Sequence, residues 1–186
     1  MKIGLYPGSF NPIHKGHIAI INKLLSAKLI DKIILIPLNS HPNKNIEKTI
    51  NNRIEMLKIY ESANILIDDN SKELYTYEIM DKYKNLYPKE NLYYIIGSDN
   101  LNSIDRWKNS EEVLKNNFII INRPEYNTLE LINDKKLNKD NFTIINLNYD
   151  ISSTMIRDKI KEKENIYEYL DKEVINYIIE NKLYIE

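Results

Sequence analysis

The sequence predicts an α/β protein: a doubly wound parallel sheet of five to six strands, completed by a small helical C-terminal segment. Three observations predict it. Six short Ile-rich runs recur: Ile3–Tyr6, Lys32–Ile36, Ile65–Ile67, Leu92–Ile96, Phe118–Ile121 and Thr143–Ile145. They are bounded by turn residues, as buried strands are. Helical patterns alternate with most of them, and strand–helix alternation implies a parallel sheet covered by helices. Beyond Asp150 the strand pattern stops and two helices follow.

The helical segments are justified in turn. Ile18, Ile21, Leu25 and Leu29 fall on one face after the first run, and Ile54, Leu57 and Tyr60 fall on one face after the second. Tyr75–Tyr87 is a third helix, stopped near Pro88. The Asn-rich stretch Leu131–Asn141 reads as solvated loop or a poorly ordered helix. Ser153 to about Lys163 and Asp171 to about Asn181 are the last two helices. The second carries Val174, Ile175, Ile178 and Ile179 on one face. That face can pack on its own domain or on a second copy, so the oligomeric state stays open between monomer and homodimer. With no linker and no internal repeat, 1–186 reads as one domain and 151–186 as its helical C-terminal part.

Composition narrows the function. The chain has 186 residues, a formal net charge of −1 and no cysteine. Thiol nucleophiles, disulfides and zinc fingers are therefore excluded. Near-zero charge argues against nucleic acid as a partner. No stretch approaches the roughly 18 apolar residues of a membrane span. Lys2 opens a strand-like run with no signal-peptide pattern, so a soluble cytoplasmic protein is expected. Gly (four), His (three), Arg (four) and Trp (one) are scarce, so each is expected where nothing else would serve.

Gly8-Ser9-Phe10-Asn11-Pro12-Ile13-His14-Lys15-Gly16-His17 follows the first strand and opens the first helix. A strand, a Gly-bearing loop and a helix N-terminus form an anion site, because free N–H groups and the positive end of the helix point at the ligand. Gly8 is expected to turn with positive φ or to let a ligand approach the backbone. The spacing matches neither dinucleotide-binding nor P-loop fingerprints. His14 and His17 can lie on one side of the helix start and donate to the same phosphate oxygens, with Gly16 leaving room between them. No acidic or cysteine ligand lies nearby, so no protein-held metal is expected. Further on, Ser152-Ser153-Thr154 precedes an apolar-periodic run with Arg157. Three hydroxyls exceed what an N-cap requires, and with an arginine they suit a phosphate chain.

The first segment resembles the G-S/T-F-D/N-P-x-H-x-G-H signature of the nucleotidylyltransferases. Ile151-Ser152-Ser153-Thr154-Met155-Ile156-Arg157 resembles their I-S-S/A-T-x-I/V-R motif. The resemblance implies a Rossmann-like sheet. It implies that His14 and His17 stabilise the transferring α-phosphate of ATP. It also implies that Gly8, Ser9, Phe10 and Gly16 bind ATP, and that Ser152, Ser153, Thr154 and Arg157 grip its β- and γ-phosphates. Mg²⁺ would come mainly on those phosphates.

The middle selects the second substrate. Gly97 and Asp99 end the fourth strand, Trp107 follows, and Arg123 follows the fifth strand. Trp107 suits stacking on a heteroaromatic ring or half-buried packing. Arg123 suits the nucleotide or a loop-anchoring ion pair. With Tyr75-Thr76 ahead of them, these pieces resemble the nicotinate-nucleotide adenylyltransferases, which make deamido-NAD from nicotinate mononucleotide and ATP. The resemblance runs from Lys2 to about Tyr184. It implies that Trp107 stacks on the nicotinate ring, that Thr76 and the Lys108 amide hold its carboxylate, and that Gly97 and Asp99 line the mononucleotide site. Asn39 and Lys44 belong to the loop expected to bind the mononucleotide phosphate.

Two departures from the family pattern stand out. Asn43 occupies the place of a family histidine, with His41 two residues earlier, and Asn11 stands where Asp is common. Arg53 reads as structural and Arg106 as a surface charge. Two alternatives share the motifs. Pantetheine-phosphate adenylyltransferase usually has Thr where His14 stands. A non-catalytic nucleotide-sensing module would bind without turnover.

Overall fold

In a computed structural model the chain is described over residues 1–38, 50–123, 125–147 and 150–185. Six strands form one sheet: β1 (Lys2–Gly8), β2 (Lys32–Pro37), β3 (Ile65–Ile67), β4 (Asn91–Gly97), β5 (Asn117–Asn122) and β6 (Phe142–Asn146). Their order is β3-β2-β1-β4-β5-β6, and every pairing is parallel. Eight α-helices connect and flank them among the described residues: α1 (Lys15–Ser26), α2 (Ile50–Lys58), α3 (Thr76–Leu86), α4 (Ser98–Leu101), α5 (Ser110–Val113), α6 (Thr128–Asp134), α7 (Ser153–Lys161) and α8 (Lys172–Glu180).

Period-2 alternation of apolar side chains builds two cores. Ile33 and Leu35 of β2, Ile95 of β4, and Ile119 and Ile121 of β5 face one layer. Ile21 and Leu24 of α1, Met56 and Leu57 of α2, Ile156 of α7, and Val174, Ile175 and Ile178 of α8 pack against them. The alternate residues, Ile34, Ile36, Tyr94, Ile96, Phe118 and Ile120, face the other layer with Ile79, Met80 and Tyr83 of α3. A sheet covered on both faces needs strands that are apolar throughout, which is why the Ile-rich runs do not alternate with polar residues.

The sheet splits where its connection order reverses. β1 pairs with β4 from Lys2↔Asn91 to Leu5↔Tyr94, and no further. Its pairing with β2 continues to Gly8↔Pro37. Pro7 has no N–H to give a ladder and lies beyond the β4 pairing, where its presence costs least. In open parallel sheets such a reversal leaves a crevice beyond the strand C-termini. Gly8 and Gly97 end the two strands that border it.

Local details differ from expectation. α1 ends at Ser26, with Lys28 turning at φ 53°, so Leu29 packs from a turn and not from the helix face. Tyr60 likewise lies beyond α2. The Asn-rich stretch, left open between loop and poorly ordered helix, begins in the helix Thr128–Asp134, because Asn127 caps it by accepting from the Glu130 N–H at 3.3 Å and Ile132 is buried. On α8, Ile179 is 64% exposed and does not share the buried face of its neighbours. No helix among the described residues is long and apolar enough to cross a membrane.

Ile156 of α7 is fully buried in the same core as α1. Ile156→Ala should cost about 2–5 kcal/mol of stability. Trp107 fluorescence and far-UV circular dichroism should still report one coincident urea transition. Two separate transitions would show that 151–186 folds apart from the sheet.

Candidate active site

The crevice is built by tying distant segments to one loop. After Gly8 the chain turns through Phe10 at φ 43° and a cis Asn11–Pro12 bond into α1. The left-handed position is therefore Phe10, and no described glycine has positive φ. Gly8 has a different role. A Cβ there would stand 2.9 Å from the Phe10 ring, so the missing side chain lets that ring fold back beneath the loop. Phe10 is 1% exposed and lies edge-on to His17, with ring centroids 5.0 Å apart. What Phe10 can offer a nucleotide is backbone, while its ring supports the histidine.

Backbone carbonyls turned out of helix and sheet need donors, and the C-terminal part supplies them. Arg157 Nη1 donates to the Asn11 carbonyl at 2.8 Å, and Ser153 Oγ donates to that of Pro12 at 2.9 Å. The Lys15 N–H donates to the Tyr169 carbonyl at 2.9 Å, and Lys15 Nζ to that of Tyr167 at 2.8 Å. From the other side, the fully buried Arg53 donates from Nη1 to the carbonyls of Ser9 (2.5 Å) and Leu38 (3.0 Å). Its structural role is thus specific: it joins the first loop to the end of β2.

The three consecutive hydroxyls divide their work. Ser152 caps α7, its Oγ accepting from the Met155 N–H at 3.2 Å. Ser153 is committed to Pro12. Thr154 Oγ1 accepts from Arg157 Nη2 at 3.2 Å and keeps its own hydrogen to donate. Ser152 and Thr154 are exposed at the helix N-terminus, where they can meet an anion.

His14 and His17 stack, with ring centroids 3.7 Å apart and planes at 33°. The His14 N–H donates to His17 Nδ1 at 3.2 Å. A neutral imidazole with Nδ1 accepting carries its proton on Nε2, so this bond fixes His17 as an Nε2–H donor. Gly16 closes the pair: a Cβ there would stand 3.0 Å from His14 Nδ1. Burial, then the Arg123 charge, holds His14 down at about 4. Burial, His14 and Arg123 hold His17 well below its ordinary value. Both rings are therefore neutral near pH 7.

Opposite them, the Arg123 N–H donates to the buried Ser98 Oγ at 2.9 Å, and Arg123 Nε lies 3.5 Å from Asp99 Oδ1. Arg123 therefore anchors its loop by an ion pair and also projects charge onto both histidines. Asp99 Oδ1 is buried without a hydrogen-bond partner among the described residues. A Cβ on Gly97 would stand 2.2 Å from that oxygen, so glycine leaves this carboxylate room to lie where it does. A second cluster surrounds the start of α3. Tyr94 OH donates to Thr76 Oγ1 at 3.4 Å, and Lys108 Nζ lies 4.3 Å over the Tyr75 ring and 5.7 Å from that of Tyr77. These contacts bring Thr76 and the Trp107–Lys108 turn together from distant parts of the sequence. Trp107 is half-buried against the α3-side core, and Arg106 is exposed. Asn39, His41, Asn43 and Lys44 lie outside the described residues.

A family model described as cytidylyltransferase-like matches residues 5–159. A probable nicotinate-nucleotide adenylyltransferase of Fusobacterium nucleatum is 36% identical over 196 aligned residues that cover all of both chains. One from Endomicrobium trichonymphae is 33% identical over 98% of each. The chain belongs to the nicotinate-nucleotide adenylyltransferases. The solved structure of Plasmodium falciparum nicotinic acid mononucleotide adenylyltransferase complexed with NaAD superposes with a TM-score of 0.85. It is 26% identical, covering 98% of this chain and 97% of that one.

Family membership accounts for the motifs but leaves the pins on the loop to be found in the structure. Sequence reasoning missed the Tyr167 and Tyr169 carbonyls on Lys15. It also missed Tyr184, whose OH donates to Asn11 Oδ1 at 2.7 Å. With 14 tyrosines in the chain, none of them stands out by scarcity.

Both histidines resist protonation in the folded state, whereas the unfolded chain takes up protons from about pH 6.5 downward. Stability should therefore be complete above pH 6.5 and fall as pH drops toward 4. His14 alone accounts for roughly 2 kcal/mol of loss at pH 5. Urea unfolding at pH 7 and pH 5 should show that loss, and His14→Gln should reduce it. An equal loss in the variant would remove His14 as the cause.

Proposed function

We propose that this chain catalyses adenylyl transfer from ATP to nicotinate mononucleotide, giving deamido-NAD and pyrophosphate, as a cytoplasmic enzyme of NAD biosynthesis. The observation that carries the reading is the direct bonding of Ser153 and Arg157 to the carbonyls of Pro12 and Asn11. It brings the two segments proposed to bind phosphate, more than 130 residues apart in sequence, side by side.

The reaction needs no protein nucleophile. A phosphate oxygen of the mononucleotide forms a bond to the α-phosphorus of ATP, the bond from that phosphorus to the β-bridging oxygen breaks, and pyrophosphate leaves with the electron pair. Catalysis is then positioning and charge stabilisation. His17 donates from Nε2–H, and His14 beside it, to the α-phosphate oxygens as charge shifts onto them. Both rings are held neutral by the protein alone, so an arriving phosphate raises their affinity for a proton and strengthens the donation.

Thr154, the exposed Ser152 and the free edge of Arg157 hold the departing pyrophosphate at the α7 N-terminus. Gly8, Ser9, Phe10 and Gly16 present backbone to ATP, and Arg123 adds the fixed positive charge. Gly97, Asp99, Thr76, Trp107 and Lys108 take the mononucleotide, with Asn39 and Lys44 on its phosphate. Hydroxyls, N–H groups and guanidinium suit phosphate oxygens and do not suit a cation. Among the described residues no group of three acidic or histidine side chains could hold one. Mg²⁺ is accordingly proposed to be held by ATP itself, where it neutralises phosphate charge.

With Mg-ATP, the protein should release pyrophosphate on adding nicotinate mononucleotide, and not with phosphopantetheine. Binding without release would favour the sensing module and overturn the reading. His17→Ala should cut kcat by about 10²-fold or more, as expected for loss of a preorganised donor, with the fold retained by circular dichroism. Near-normal kcat would sink the role. Trp107→Ala should raise KM for the mononucleotide far more than KM for ATP. Equal effects on both substrates would reduce Trp107 to packing.

A further inference from the structure

We propose that Tyr184, near the end of the chain, is a positioning residue for the histidine pair and acts through Asn11. Its OH donates to Asn11 Oδ1 at 2.7 Å, across 173 residues of sequence. The backbone of Tyr184 is left-handed, at φ 64°. An aromatic residue is held there only when its surroundings over-determine the conformation. Those surroundings include the last buried core residue, Leu183, and the two guanidiniums of Arg53 and Arg157, whose charges act on the phenol. Burial pushes the phenol up, so it remains a hydrogen-bond donor across the working range.

Asn11 is well placed to transmit the contact. Its carbonyl is taken by Arg157 and the next carbonyl by Ser153. Ile13 is fully buried, and His14 then opens α1. Main-chain contacts thus fix the carbonyls of this segment, and Tyr184 alone fixes the Asn11 side chain among the described residues. Either an amide or a carboxylate oxygen can accept from a phenol, so the position tolerates Asn or Asp while requiring an acceptor. Arg157 touches the same residue, so the clamp reaches the pyrophosphate side as well.

The proposal rests on the adenylyl-transfer reading of His14 and His17. Tyr184→Phe keeps the ring and removes the donor. It should lower kcat by roughly three- to tenfold, the range of one lost hydrogen bond, and leave KM for the mononucleotide unchanged. In an Asn11→Ala background the same substitution should cause no further loss, and Asn11→Asp should keep near-normal kcat. Imidazole ¹⁵N resonances of His14 and His17 should shift in Tyr184→Phe, and again in Asn11→Ala should the first variant fail to fold. Unmoved resonances, an unchanged kcat, or an undiminished effect in the Asn11→Ala background would overturn the proposal. If the wild type itself releases no pyrophosphate, the functional reading fails, and the resonances alone decide whether Tyr184 positions the pair.

Discussion

The bonds from Ser153 and Arg157 to the carbonyls of Pro12 and Asn11 carry the architecture of the site. A loop that leaves a strand, turns through a left-handed phenylalanine and a cis proline, and enters a helix has carbonyls that neither element can satisfy. Left unpaired and partly buried, each would cost about 1–3 kcal/mol. The C-terminal part answers that need with side chains from α7. In doing so it delivers its own helix N-terminus, hydroxyls and guanidinium to the same crevice. One requirement of backbone chemistry thus brings both halves of the proposed phosphate site together.

The electrostatics follow from this packing. Stacking of the two imidazoles on each other, with the Phe10 ring edge-on to His17, removes water from them, and Arg123 repels a proton from both. The two imidazoles are neutral donors beside Arg123, which is itself restrained by Asp99 and by the buried Ser98. In a chain of net charge −1, the proposed polyphosphate site would draw on these groups and not on a basic surface. There, helix ends and a few oriented donors would take the place of a lysine-rich patch.

The sheet was largely legible in the sequence because its signal is local. Every Ile-rich run became a strand, since buried parallel strands must be apolar on both faces. Helix ends were less legible. Leu29 and Tyr60 continue the apolar spacing of α1 and α2 from beyond their ends, because a turn can bury a side chain as well as a helix can. The helix Thr128–Asp134 was only half legible behind Asn-rich composition, since it rests on Asn127 as a cap and a single buried isoleucine. The first loop stood out by its motif, and the scarce Gly97 and Arg53 lie against the Asp99 carboxylate and across the Ser9 and Leu38 carbonyls.

The sequence by itself determined the strands, the parallel sheet and the two motif segments, because each is written in the spacing of neighbouring residues. Only the tertiary structure decided what each member of those segments does. Ser153 binds a carbonyl while Thr154 faces outward. Gly8 makes room for a ring instead of turning the chain. His17 is fixed as an Nε2–H donor, and a tyrosine near the chain end holds an asparagine near its start. The bonds made by Ser153 and Tyr184 span about 140 to 170 residues, and no local pattern encodes them. They exist because the sheet splits between β1 and β4, and the groups left unsatisfied at that split must find partners wherever the fold brings them.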